Sequence, residues 1–211
     1  VDSISLDPHK WLFVPVDSGC ILVRDVAALG RAFRYAAEYV DVIATPEMSE
    51  YAFWDYGPEL TRRFRALKIW MALKAYGVRT LSATIESNIT LARRLAALID
   101  GSDDFERLAP VPLSIVCFRY VGDAGSTDRA DDRSRAYDRV EGSEGNRAGE
   151  ARLDDLNRAL MLRVQHSGRS YLSNATINGR FALRACIVNH RTTDADVVEL
   201  LAEVRRAASA V

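Results

Sequence analysis

Lysine is nearly absent from this sequence: Lys10, Lys68 and Lys74 are the three lysines among 28 basic residues. Net charge is almost absent too, at −1, which excludes a bulk field that would draw nucleic acid or an anionic membrane. No apolar run approaches the ~20 residues needed to span a bilayer as a helix, so we expect no membrane partner. Cysteine is scarce and odd in number. Cys20, Cys117 and Cys186 each lie in an apolar, strand-like run, which suggests buried free thiols in a reducing compartment rather than a disulfide framework. An initiator Met is missing, and no basic-then-apolar stretch opens the chain at Val1-Asp2. We therefore expect the C-terminal portion of a longer, cytoplasmic protein. What is present is ordinary for a globular chain of one large or two small domains: 211 residues, 48% apolar and 27% charged.

The chain is organised around Ser3-Ile4-Ser5-Leu6-Asp7-Pro8-His9-Lys10-Trp11-Leu12. The alternation of Ile4 and Leu6 reads as a strand, and Asp7-Pro8 stops it. His9 and Lys10 then sit at the strand end, before the apolar run Trp11-Leu12-Phe13-Val14. A lysine held there is partly desolvated, and desolvation makes a nucleophilic amine available near neutral pH. The competing reading is a surface lysine whose stem lies along the strand. Where arginine serves nearly everywhere else, a retained lysine favours amine chemistry, since arginine cannot form a Schiff base. Genomic base bias can also deplete lysine.

Downstream, Gly19 to Arg24 reads as a strand pairing beside the first, and Asp25 caps a helix over about 26–35. Residues 36–58 are irregular and rich in aromatics (Tyr39, Tyr51, Phe53, Trp54, Tyr56). Such a segment is either a functional lid or a packed loop at a subunit interface. Leu60, Phe64, Leu67 and Met71 predict a helix over 60–76, stopped by Gly77. Its start carries Thr61, Arg62, Arg63 and Arg65, either an anion site or arginines with paired, partly buried roles. A second helix spans 81–99. Strands are expected at 105–108, 113–120, 171–173 and 181–188, with an Asn178-Gly179 hairpin turn. Residues 122–150 read as a mobile surface insertion, and helices are expected over 153–164 and 195–208, the last capped by Thr193 or Asp194. The second half thus predicts a small antiparallel sheet with helices on one face. Arg184, alone among apolar neighbours in its strand, is either a bidentate clamp for a carboxylate or an outward residue on a half-exposed strand.

Three motifs together resemble the group II pyridoxal-phosphate (PLP)-dependent amino-acid decarboxylases: Asp2 to Leu12, then Arg62-Arg63-Phe64-Arg65-Ala66-Leu67-Lys68 with Tyr76-Gly77, then Phe181-Ala182-Leu183-Arg184-Ala185-Cys186-Ile187 with Arg191-Thr192-Thr193. The similarity covers nearly all of the chain except 122–150. It implies an α/β fold of type I, aspartate-aminotransferase-like. Residues 1–66 would complete a large PLP-binding domain and residues 67–211 would form the α+β small C-terminal domain. It further implies a homodimer with active sites at the interface.

The resemblance also assigns roles. Lys10 would carry PLP as a Schiff base, and His9 would contact its phosphate. Asp7 matches a position, often Asn in relatives, near that phosphate. Thr61 would reach the phosphate of the neighbouring subunit. Tyr39 matches a mobile-loop tyrosine that assists protonation after carbon dioxide leaves, and Arg184 matches an arginine that receives the substrate carboxylate. No metal ligand set is read. The expected reaction is decarboxylation of an L-amino acid, with an aromatic substrate suggested by the loop aromatics. An aldehyde synthase or other PLP lyase is the alternative, which Tyr39 argues against. The family's upstream residues have no counterpart here. The chain is therefore expected to need its N-terminal half, and a truncated non-catalytic chain remains a further reading.

Overall fold

The computed structural model describes residues 1–34, 53–122 and 144–210. They group into two compact units, Val1–Leu81 and Ser82–Val211.

In the first unit, β1 (Ser3–Leu6) pairs antiparallel with β2 (Cys20–Val23), in register from Ser3 opposite Val23 to Leu6 opposite Cys20. The one-turn helix α1 (Pro8–Trp11) follows, with Asp7 at its N-cap and Pro8 at the first helical position. Proline suits that position because its missing N–H is one that the first turn leaves unpaired in any case. Phe13, at φ 58°, turns the chain back. The Val14 N–H then returns to the Pro8 carbonyl at 3.2 Å, and Val14 is buried. Helix α2 (Val26–Phe33) starts where Asp25 accepts from the Ala27 N–H at 3.0 Å.

Helix α3 (Arg65–Asp100) is interrupted at Gly77, whose φ of 76° and ψ of 152° lie outside helical space. Gly77 ends the first segment as its sequence position predicts. The start differs: the helix begins at Arg65, not Leu60. Leu60 and Phe64 have helical spacing, but both are exposed, so no burial holds an earlier turn.

In the second unit, four antiparallel strands stand in the order β3 (Phe105–Arg107), β4 (Ile115–Tyr120), β6 (Arg180–Cys186), β5 (Ser173–Ile177). Strands β5 and β6 turn through Asn178 (φ 50°) and Gly179 (φ 78°), the left-handed pair that a two-residue hairpin requires. Helix α4 (Glu144–Ser167) and helix α5 (Asp194–Ala208) pack with the second part of α3. Ala92, Leu95, Ile99, Leu160, Val164, Val197, Leu201 and Val204 meet Phe105, Val116, Phe118, Phe181, Leu183 and Ala185 in one core. Alternation along β4 and β6 sends Cys117, Arg119, Ala182 and Arg184 to the opposite face, where the apolar cluster is small: Leu108, Cys117 and Ala182. Helices on one face of an antiparallel sheet is the arrangement expected above. Thr193 caps α5 through a reciprocal box with Asp196.

Two expectations change here. Helix α4 begins at Glu144, so the end of the 122–150 stretch is helical; Glu150, paired with Arg119, anchors a turn that carries no apolar stripe. Residues 123–143 lie outside the described residues. Of the three free thiols, Cys117 is buried but Cys186 is exposed, because it stands on the less covered face opposite Ile115.

Candidate active site

The β1–α1 corner places three of the singled-out residues within one turn. Lys10 Nζ donates to Asp7 Oδ2 at 2.6 Å. The Lys10 side chain is 70% exposed, so the apolar run behind it does not desolvate the amine as expected. The chain turns back at Phe13 and buries Val14 rather than covering Lys10. Lys10 holds the Asp7 carboxyl below its ordinary range, through the hydrogen bond first and its charge after that.

His9 is pinned from the other side. Its Nδ1 lies 2.8 Å from the Ser18 carbonyl oxygen and 3.1 Å from the Ser18 nitrogen. A single ring nitrogen either donates to that carbonyl or accepts from that N–H, but both arrangements fix the ring and leave Nε2 for a ligand. Ser18 is completely buried, and its hydroxyl has no hydrogen-bond partner among the described residues. An orphaned buried hydroxyl, an imidazole nitrogen left over and a reachable primary amine form a donor set suited to an anionic aldehyde.

The Ser18 turn is itself tied to α3. Asp17 accepts from Arg65 Nε at 2.9 Å and from Lys68 Nζ at 3.3 Å. Lys68 also donates to the carbonyls of Val16 and Asp17, at 3.0 and 3.1 Å. Arg65, foremost, then the backbone and Lys68 hold the Asp17 carboxyl well below the usual carboxylate range. Arg65 reaches Glu59 as well, at 2.9 Å. These contacts answer how the basic start of α3 is used: Arg65 and Lys68 have paired roles. Thr61 is exposed and precedes the helix by four residues, so it does not stand in its first turn.

Arg184 belongs to the second unit. It is half-buried on the face opposite the core, and its Nη1 donates to Ser173 Oγ at 3.3 Å. Its cross-strand neighbour is Cys117, whose thiol burial pushes up while Arg184 works against the shift. Tyr39 lies outside the described residues. Ser18 and Asp17 were not singled out from sequence. Their signal, an Asp-Ser-Gly turn, is common in chains of every kind.

Residues 1–121 match the family described as the pyridoxal-dependent decarboxylase conserved domain. Over 211 residues the chain is 33% identical to an aromatic-L-amino-acid decarboxylase of Bacillus atrophaeus, covering 100% of this chain and 39% of that protein. It is 33% identical over 187 residues to tryptophan decarboxylase 1 of Oryza sativa subsp. japonica, covering 89% of this chain and 33% of that one. Among solved structures it superposes on Oryza sativa TDC with PLP and tryptamine at a TM-score of 0.79 and 28% identity, over 99% of this chain and 39% of that one. Rhodiola rosea 4-hydroxyphenylacetaldehyde synthase matches at a TM-score of 0.73 and 28% identity, over 100% of this chain and 38% of that one. The chain thus spans about two fifths of the length of the first of these relatives.

Proposed function

The chain belongs to the pyridoxal-dependent decarboxylase family, and from that membership we propose that the full-length enzyme it is part of decarboxylates an L-amino acid, aromatic by preference, to the amine and carbon dioxide. The observation that carries the proposal is the β1–α1 corner, where an accessible Lys10 stands next to a His9 ring pinned by Ser18. Its α/β elements are part of the fold type I, aspartate-aminotransferase-like architecture of the solved relatives. In our reading residues 1–66 complete the large cofactor domain and residues 67–211 form the small domain.

PLP, when bound, supplies an electron sink that takes up the electrons released as the carboxylate leaves. Lys10 would hold it through its amine, and His9 and Asp7 would stand near its phosphate. Thr61 would approach the phosphate of a neighbouring subunit, which makes a homodimer part of the proposal. Arg184 is assigned to the substrate carboxylate: a half-buried guanidinium with a hydroxyl for a partner suits a bidentate carboxylate. Tyr39 would deliver the proton to Cα after carbon dioxide has gone. A cytoplasmic location accompanies this reading.

The experiment is borohydride reduction of the PLP-loaded full-length protein, followed by peptide mapping. The cofactor is expected on the Lys10 peptide, and Lys10→Ala is expected to abolish the visible absorbance. A reducible chromophore that survives in Lys10→Ala would overturn the assignment. A second reading, aldehyde formation, draws support from the similarity to the Rhodiola rosea synthase. Product analysis over a panel of L-amino acids decides between amine and aldehyde, and Tyr39→Phe is expected to divert product towards aldehyde.

A further inference from the structure

Asp7 occupies the N-cap of α1, yet its side chain makes no capping hydrogen bond. An Asp in that position ordinarily turns its carboxylate onto the N–H of the second or third helical residue. Here those donors are already used: the His9 N–H points to the Ser18 carbonyl at 3.4 Å, and the Lys10 N–H to the Asp7 carbonyl at 2.9 Å. Pro8 has no N–H to offer. The carboxylate is thereby released from the backbone, and Oδ2 takes Lys10 Nζ at 2.6 Å. The hydrogen bond from Lys10 foremost, then its charge and a lesser contribution from His9, hold the Asp7 carboxyl below its ordinary range.

We propose that Asp7 is a positioning residue for Lys10, holding its amine in an ion pair against the first turn of α1 and so slowing its reaction with electrophiles in the cofactor-free protein. The meaning of this contact for cofactor loading rests on the reading of Lys10 as the PLP lysine, whereas the contact itself does not. A carboxylate three residues before the lysine stands within hydrogen-bond reach of Nζ. A carboxamide at the same position could accept from the amine but carries no charge to pair with it.

The test is limited acetylation of the full-length protein, freed of cofactor, with acetic anhydride. Rates are read peptide by peptide at Lys10, Lys68 and Lys74, the three lysines of this chain. Lys68, bound to Asp17, and Lys74, over the Trp70 ring, serve as internal references. In Asp7→Asn, Lys10 is expected to react between about two- and fivefold faster, the range for an exposed ion pair. Lys68 and Lys74 are expected to stay constant, and Asp7→Glu to restore the slow rate. A Lys10 rate that does not change in Asp7→Asn overturns the inference. If all three lysines accelerate together the variant has lost its fold, and the wild-type protein then decides. Raising salt to 0.5 M should screen the pair and speed Lys10 relative to Lys74, and a flat ratio overturns the inference. Borohydride trapping on the same preparation, reloaded with PLP, keeps the two ideas separate. Cofactor found on another peptide would end the PLP-lysine reading while leaving the Asp7–Lys10 result to stand.

Discussion

The carboxamide of Asn157 closes both backbone groups of Tyr120. Its Oδ1 accepts the Tyr120 N–H at 2.8 Å, and its Nδ2 donates to the Tyr120 carbonyl at 2.8 Å. Nδ2 also donates to the Leu153 carbonyl at 2.9 Å. A side chain on α4 therefore continues the ladder of β4 where the strand runs out, and it does so with no exposure to solvent.

Asn157→Leu is accordingly expected to destabilise the second unit by about 3 kcal/mol. It removes the partner of a part-buried N–H and a part-buried C=O, at about 1–3 kcal/mol for each. The added apolar contact offsets only part of that loss. Urea unfolding followed by circular dichroism measures it. A midpoint within error of wild type would mean that water replaces the carboxamide.

Local signals in this chain were legible from sequence and tertiary ones were not. Asn178-Gly179 specifies its hairpin because both residues accept positive φ, and Thr193 caps α5 because a hydroxyl reaches the Asp196 N–H three residues on. The pairing of β1 with β2 follows from two short strand-like runs close in sequence, although helix α1 and the loop after it lie between them. The start of α3 was misplaced because Leu60 and Phe64 have helical spacing but nothing to bury against. The start of α4 was misplaced because Glu150 is held by Arg119, at 2.5 Å, a partner 31 residues away. Burial alone would disfavour the charge on Arg119, yet Glu150 and Glu106 outweigh it and strengthen its hold on the proton. At the site, the motif reads Lys10 at a strand end, whereas it stands in the one-turn helix α1 that follows β1, and its exposure was not legible either: which way the chain goes after Trp11 depends on Phe13 adopting φ 58°. Ser18 and Asp17 went unnoticed because their roles exist only once the loop meets His9, Arg65 and Lys68.

Gly77 separates the two segments of α3 at φ 76° and ψ 152°, a region that residues with a Cβ avoid. Open space surrounds the position, so a methyl group would meet no neighbour within 4 Å and the cost is one of backbone conformation alone. Gly77→Ala is expected to lower stability by about 1–3 kcal/mol. If the alanine variant instead ran a continuous helix through this point, helical ellipticity would rise and stability would not fall. Circular dichroism together with urea midpoints separates the two outcomes.

Asp17 gives the first unit a defined acid sensitivity. Arg65 and Lys68 depress its folded-state carboxyl well below the unfolded value, which is about 3.9. A depressed carboxyl contributes stability that is fully present above the unfolded pKa and is lost as pH falls below it towards the folded one. Asp17→Asn removes the charge at every pH. The variant should therefore be less stable than wild type at pH 7, with a difference that holds down to about pH 5 and narrows steadily below about pH 4. Asp7 and Glu59 are depressed by Lys10 and Arg65 in the same direction, so the wild-type acid limb should flatten in Asp17→Asn without vanishing. Tryptophan fluorescence reports this unit through Trp11, Trp54 and Trp70, and urea midpoints between pH 7 and pH 3 measure the effect. A constant gap between variant and wild type across that range would show that Asp17 acts by packing and hydrogen-bond geometry rather than by charge.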